Sequence, residues 1–447
     1  MDQILTSYPE APVAEPVVRP VDTAERIKTI DMIRGFALLG ILMMNIPGFG
    51  INWDVWYSLG TGPRSGKDYY TLATVNVLFE GTMRALFSML FGAGMILFMK
   101  NKKDVPGKPT VAEYYYRRLL WLVSFGLINA FVFLWGGDIL FFYGLCGMVL
   151  FAFRKAKPKW LLIIGFACIC ITMLKTQLGW NEMREQRKDY KEAIAAQKEK
   201  KKLTNEQQGA IAAWTQIEQN QKPDTTYSNR NLRKMRSGYG TIFDYFIGRN
   251  ANFEVFIMYE VVWDMLCMMF IGMALFYWGF FSDKLSTSTY AMWLLVGYGI
   301  GIPVGWILFK GGWLDQWAVA TYVDRWRVPH EVFGEFRRLP LAIGHASLLM
   351  LIYRSRLVPW LMRALANVGQ MAFSNYLMQS IICTLFFYGY GLGYYNKLRF
   401  HQLYYVVFAV WIFQIIFSVI WLRYYRFGPF EWLWRSLTYW RKQPMRK

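Results

Sequence analysis

Ten apolar runs, most of them long enough to cross a bilayer, recur along these 447 residues, and short charged connections separate most of them. Such runs leave few folds open. In hydrocarbon every backbone N–H and C=O must be bonded internally, which a helix achieves within one segment. About 20 apolar residues cover the roughly 30 Å core. The expected spans are 33–53, 70–99, 119–135, 139–153, 160–178, 253–281, 290–309, 339–353, 372–390 and 403–424. The expected fold class is all-α, a polytopic membrane bundle of about ten transmembrane helices with an extramembrane helical insertion. The third and fourth runs are short and face each other across Trp135-Gly136-Gly137-Asp138, a turn that suits a helical hairpin. Only 18% of the residues are charged, below the quarter or so typical of soluble domains.

The formal net charge is +20. Such a balance can mean nucleic acid. Here the Lys and Arg lie largely in short connections, which points instead to topology and anionic lipid. Lys100, Lys102, Lys103, Lys108, Arg117 and Arg118 fill the second connection, and Arg154, Lys155, Lys157 and Lys159 the fourth. Arg354, Arg356 and Arg363 occupy the eighth, and a basic tail follows the last span. Counting spans puts all of these on one side, while the third connection has no Lys or Arg. The expected setting is a bacterial inner membrane with both termini cytoplasmic. The first thirty residues lack the basic start and apolar core of a cleavable leader, so the first span should act as a retained anchor.

The expected organisation is a disordered tail over 1–30, a bundle over 31–180, an extracytoplasmic helical insertion over 181–250, a second bundle over 251–425 and a basic cytoplasmic tail over 426–447. Residues 181–240 carry both charge signs and many helix formers. They read as a linker or cap, or as an arm for a partner or polymeric acceptor. Cys146, Cys168, Cys170, Cys267 and Cys383 all sit in apolar runs without zinc-type spacing and read as packing residues, so no metal is expected.

Polar side chains inside spans are costly and therefore informative. Asp31 and Arg34 stand three residues apart at the entrance of the first span. Arg34 and Asn45 are eleven apart, which places them within about 20° of one helix face and about 16 Å apart in rise. Together they suggest a polar stripe from the inner surface to mid-membrane, or an anchoring Arg and an Asn bonded to a neighbouring helix. Glu80 and Arg84 are one turn apart and can pair. Glu260 and Asp264 have the same spacing with like charge, so one is expected protonated or wet. His345 within the eighth span, His330 in an outer loop and Glu260 are proton-acceptor candidates. Asn375 and Gln379 share a face and could line a cavity or bond helices together.

Four blocks carry a resemblance: RIKTIDMIRGFALLGILMMNI at 26–46, FEGTMRALFSMLFGAG at 79–94, GQMAFSNYLMQS at 369–380 and GPFEWLWRSLTY at 428–439. Together they resemble the YeiB family (domain of unknown function 418), itself similar to the transmembrane acyltransferases, which include the acyltransferase type three enzymes and heparan-glucosaminide acetyltransferase. The resemblance implies transfer of an acyl group from cytoplasmic acyl-CoA to an acceptor on the far side. In that scheme Arg34 holds the donor, and Asn45 bonds the thioester or developing oxyanion. His345, Glu260 or His330 deprotonates the acceptor. Lys102 and Lys103 attract coenzyme A phosphates. Asp31, Glu80, Arg84, Asp264, Asn375 and Gln379 line the substrate path. The type three enzymes have a His where this chain has Asn45, and no His follows before Lys67. Two other classes remain: a transporter of a small solute, using the intramembrane acids, and a non-catalytic scaffold that recruits a partner through 181–240. The expected partners are the lipid bilayer, acyl-CoA and a second copy of the chain, and not nucleic acid.

Overall fold

The computed structural model describes residues 26–447 apart from 101, 103, 105 and 255–257, and gives no side-chain surroundings for 258–261. The described residues form helices, with one isolated β-bridge between Tyr425 and Arg446. The proline-rich stretch 8–20, Lys103 and the Glu260 side chain therefore fall outside what is described.

Every expected span has a helix at its place. They are α1 (Lys28–Gly50), α3 and α4 (Gly66–Leu78 and Thr82–Met99), α5 (Val111–Phe131), α6 (Leu140–Leu150), α7 (Pro158–Lys198), α11 (Met258–Tyr277), α12 (Thr287–Ile307), α14 (Gly334–Ser355), α16 (Ala372–Phe387) and α17 (Phe400–Tyr424). Five segments, Lys28–Gly50, Gly66–Met99, Pro158–Lys198, Thr287–Trp313 and Phe400–Tyr424, are by themselves long and apolar enough to cross a membrane. The shorter apolar helices Leu140–Phe153, Val262–Tyr277 and Ala372–Phe387 pack among them. On α7, α12 and α17 side chains such as Phe166, Leu174, Leu295, Ile307, Ile412 and Ile420 stand exposed, an apolar perimeter that suits lipid.

The interior is organised around α1. It packs most closely on α15 (Pro359–Gln370), an extra helix in the eighth connection. Gly35 and Gly369 meet where the two cross. A Cβ on either would collide with a carbonyl of the other helix, that of Leu365 or Asp31. Small residues that let backbones touch are the common solution where water no longer drives helices together.

Three departures from the sequence reading matter. The second span is broken at Phe79–Gly81, where Gly81 takes a left-handed φ of 69°. α7 runs unbroken for 41 residues, about 60 Å, and carries the chain from the fifth span into the insertion as one helix. The basic tail after 426 contains a helix: α18 (Pro429–Tyr439) lies against α5, and Trp434 Nε1 donates to the Arg118 carbonyl (2.8 Å).

The insertion continues from α7 through α8 (Asn205–Gln221), α9 (Thr225–Met235) and α10 (Tyr239–Asn252). It caps the end of the bundle away from the basic connections. Asn52 Nδ2 donates to the Ser228 carbonyl (3.2 Å), Arg236 to that of Tyr395 (2.9 Å) and Asn250 to that of Ala130 (2.5 Å).

Candidate functional site

At the basic end, α1, α4, α5, α6, α16 and α18 enclose a cavity of about 230 Å³. Its walls are apolar: Phe87, Leu90, Phe91 and Met95 from α4, and Leu119 and Leu122 from α5. Along α4 the lining runs from Phe87 to Phe98, a rise of about 16 Å. Leu140, Tyr143 and Tyr376 line its inner reach, and four arginines line its mouth: Arg26, Arg34, Arg118 and Arg435.

Local structure determines what those arginines can do. Arg34 sits one turn after Asp31 on α1. Its Nη1 donates to Asp31 Oδ1 (2.7 Å), while Arg26 Nε donates to Oδ2 (3.0 Å). Asp31 is thus shared by two arginines. Glu431, the other acid at the mouth, is engaged elsewhere. It accepts from the backbone N–H of Phe373 (2.7 Å) and Ser374 (3.0 Å) and from the Ser374 hydroxyl. A carboxylate there satisfies the free N–H groups and the positive end of α16, and pins α18 to it. Arg118 and Arg435 have no acid at ion-pair distance among the described residues. They stack instead on Trp434 (4.0 Å) and Phe427 (4.3 Å). Burial, then the repulsion of Arg26 and Arg118, pushes Arg435 down to about 9. That is the behaviour of a cation short of counter-charge. Lys102 belongs to the same end, its ammonium 3.5 Å from the centre of the Phe98 ring.

Behind the inner reach lies a carboxyl that the sequence reading saw only as part of a turn. Asp138 is fully buried, accepting from Asn129 Nδ2 (2.8 Å) and the Phe141 N–H (2.9 Å). The Tyr376 hydroxyl connects it to the cavity, donating to Asp138 (3.4 Å) while accepting from the Ile139 N–H (3.2 Å). Burial raises Asp138 to about 7. Arg118 had read as a topology signal and Arg435 as tail. Their sequence signal was slight: Tyr376, Glu431 and Arg435 all fall within the blocks at 369–380 and 428–439.

The remaining candidates lie outside this cavity. Glu80 and Arg84 do not pair with each other, because the turn at Gly81 takes them off one helical face. Glu80 pairs with Arg337 (3.0 Å), and Arg84 with Asp264. Arg338 bridges Asp264 (3.4 Å) and Glu335 (2.6 Å). The helix break frees carbonyls, and the same region serves them. Arg337 donates to the carbonyls of Asn76 (3.2 Å) and Glu80 (3.3 Å), and His345 Nε2 donates to that of Leu78 (3.0 Å). That bond leaves Nδ1 of a neutral His345 to accept from the Tyr298 hydroxyl (2.7 Å). His330 is held by the Tyr322 hydroxyl (3.1 Å), and burial pushes its imidazole down. Asn375 and Gln379 bond helices together: Asn375 donates to Ser418 (2.9 Å) and Gln379 to Gln414 (3.0 Å). Asn45 is half-buried on α1 and does not line the cavity, so the stripe from Arg34 is not one continuous passage.

A family model described as a protein of unknown function (DUF418) matches residues 275–441. The chain is 30% identical over 439 residues to the uncharacterized protein YxaH of Bacillus subtilis (strain 168), covering 96% of this chain and 98% of that one. It is 30% identical over 430 residues to the uncharacterized protein YeiB of Escherichia coli (strain K12), covering 93% and 96%. An uncharacterized 39.9 kDa protein in the amylase 3' region of Bacillus acidopullulyticus is 26% identical over 428 residues, covering 95% and 97%. No solved structure matches the chain.

Proposed function

The chain belongs to the DUF418 family, and on that premise we propose that it is a membrane-embedded acyltransferase that takes an acyl-CoA from its basic, cytoplasmic end. The acceptor lies on the far side of a bacterial inner membrane, and both termini are cytoplasmic. One observation carries this reading: an apolar shaft whose mouth, among the described residues, holds four arginines and two acids. An acyl-CoA has the matching two ends. Its phosphates suit guanidinium forks. Its chain suits the shaft, where each buried CH₂ contributes about 0.8 kcal/mol. Eight methylenes would then contribute about 6 kcal/mol. A charge-assisted hydrogen bond contributes about 1.5–3 kcal/mol. The chain supplies most of the affinity, and the arginines set its direction of entry.

The cavity supports the donor half. The transfer half rests on the resemblance alone, which implies Asn45 as the hydrogen-bond donor to the thioester or oxyanion; Asn45 lies outside the cavity, so transfer requires the thioester to move beyond its inner reach. A transport reading would use the broken second span. Among the described residues around that break, the acids Glu80, Asp264 and Glu335 are matched by Arg84, Arg337 and Arg338, which leaves no surplus among these six for a cationic solute. The test is a panel of acyl-CoAs, short to long, on the detergent-purified protein, reading binding and consumption separately. Acyl-CoA should bind more tightly than free CoA, Arg34→Ala should weaken binding, and Asn45→Ala should abolish consumption while leaving binding intact. Failure to bind any acyl-CoA would overturn the proposal.

A further inference from the structure

At the opposite end of the bundle, α2 (Trp53–Thr61) faces the turn that follows α12. Trp53, Trp56, Trp313 and Trp317 line a cleft of about 320 Å³ there, together with Gln316 and with Gln221 from the last residue of α8. The rings form a continuous bent wall. Trp53 and Trp317 are 5.2 Å apart at 46°, Trp317 and Trp313 5.8 Å at 69°, and Trp313 and Trp56 6.1 Å at 58°. Gly60 makes this possible, since a Cβ there would collide with the Trp317 indole.

The amides bias the cleft further. Gln316 Nε2 donates to the Trp313 carbonyl (3.2 Å) and Gln221 Nε2 to the Gln316 carbonyl (3.3 Å), which also ties the insertion to the bundle. With its NH₂ anchored, each amide keeps its oxygen as an acceptor. No Lys or Arg lines the cleft, in a chain of net charge +20. Indole faces are the negative ends of their quadrupoles and attract cations lying within about 6 Å. An indole face turned into the cleft is electron-rich, and among the described residues no cation of the lining competes for it. A sugar would favour a flat stacking platform, whereas successive rings here turn by 46° or more.

We propose that this four-tryptophan cleft binds an organic cation with an alkylated ammonium head. The inference is independent of the acyl-donor reading. It is tested on the full-length protein in detergent by titrating its tryptophan fluorescence with choline, with the uncharged isostere 3,3-dimethyl-1-butanol, and with maltose. Choline should give a saturable change, and the isostere should bind about ten-fold more weakly or not at all. Trp313→Leu and Trp317→Leu should each weaken choline binding about ten-fold. Trp53→Phe, at an exposed position that tolerates the change, should weaken it about three-fold. Calorimetry on the variants separates lost binding from a lost fluorophore, and an unchanged melting temperature shows that the fold survives. Equal binding of isostere and choline would reduce the cleft to a plain apolar one. Saturation by maltose but not choline would make it a carbohydrate site. No saturable response to choline would leave the tryptophans as membrane-surface anchors. Each of these three outcomes overturns the proposal.

Discussion

The chain places arginines among its packed helices in two regions that obey different charge balances. Around the break at 79–81, Arg84, Arg337 and Arg338 meet Glu80, Asp264 and Glu335, and every one of the six is ion-paired. At the cavity mouth, Arg26, Arg34, Arg118 and Arg435 meet Asp31 and Glu431, and Glu431 is occupied by the N-terminus of α16. In the first region each charge has an opposite partner, and Arg337 also serves carbonyls freed by the break, although Glu335 Oε2 and the Nε atoms of Arg337 and Arg338 stay without a hydrogen bond. The second, among the described residues, has four arginines to two acids beside an apolar shaft. On the proposed reading, the cluster whose own members leave charge over is the one that takes the ligand.

Breaking the first region should have the largest effect. Arg338→Ala leaves Asp264 and Glu335 short of their shared partner and should cost about 3–5 kcal/mol of stability. Thermal unfolding in detergent would show this as a markedly lower midpoint, and an unchanged midpoint would erase the contrast. The second region should respond the other way round. Arg118→Gln should weaken acyl-CoA binding by about 1.5–3 kcal/mol. The same change should leave the melting temperature level or slightly raised, because it relieves repulsion with Arg435; a large loss of stability would make Arg118 structural. Gly35→Ala probes what holds the mouth together. Forcing a methyl group into the crossing of α1 and α15 should cost about 1–3 kcal/mol, and donor binding should fall with it, while Ala at the open Gly299, on α12 and away from the cavity, should do neither.

A further test is a pH dependence. Asp138 is raised to about 7 by burial, above the roughly 4 of an unfolded Asp. The native state therefore holds this proton longer than the unfolded one. Its contribution to stability is fullest below about pH 4, declines as pH rises toward 7, and is level above that. Unfolding midpoints measured from pH 5 to 8 should show this slope, and Asp138→Asn should flatten it. An equal slope in the variant would assign the titration to another group.

Ten apolar runs, each with helix at its place, could be read from the chain alone, because the cost of unbonded backbone in hydrocarbon acts on each segment separately; the break in the second and the helix within the eighth connection could not. The Asp31–Arg34 pair was legible for the same local reason, three residues on one helix. Nothing local could reveal that Gly81 would part Glu80 from Arg84, since their spacing alone reads as an ordinary helical pair. Nor could it show that Arg118 and Arg435, more than three hundred residues apart, would share one cavity mouth with too few acids between them. Each segment could state which of its side chains are expensive to bury. Only the packed bundle decided which of those side chains found partners, because charge compensation is a property of neighbours in space.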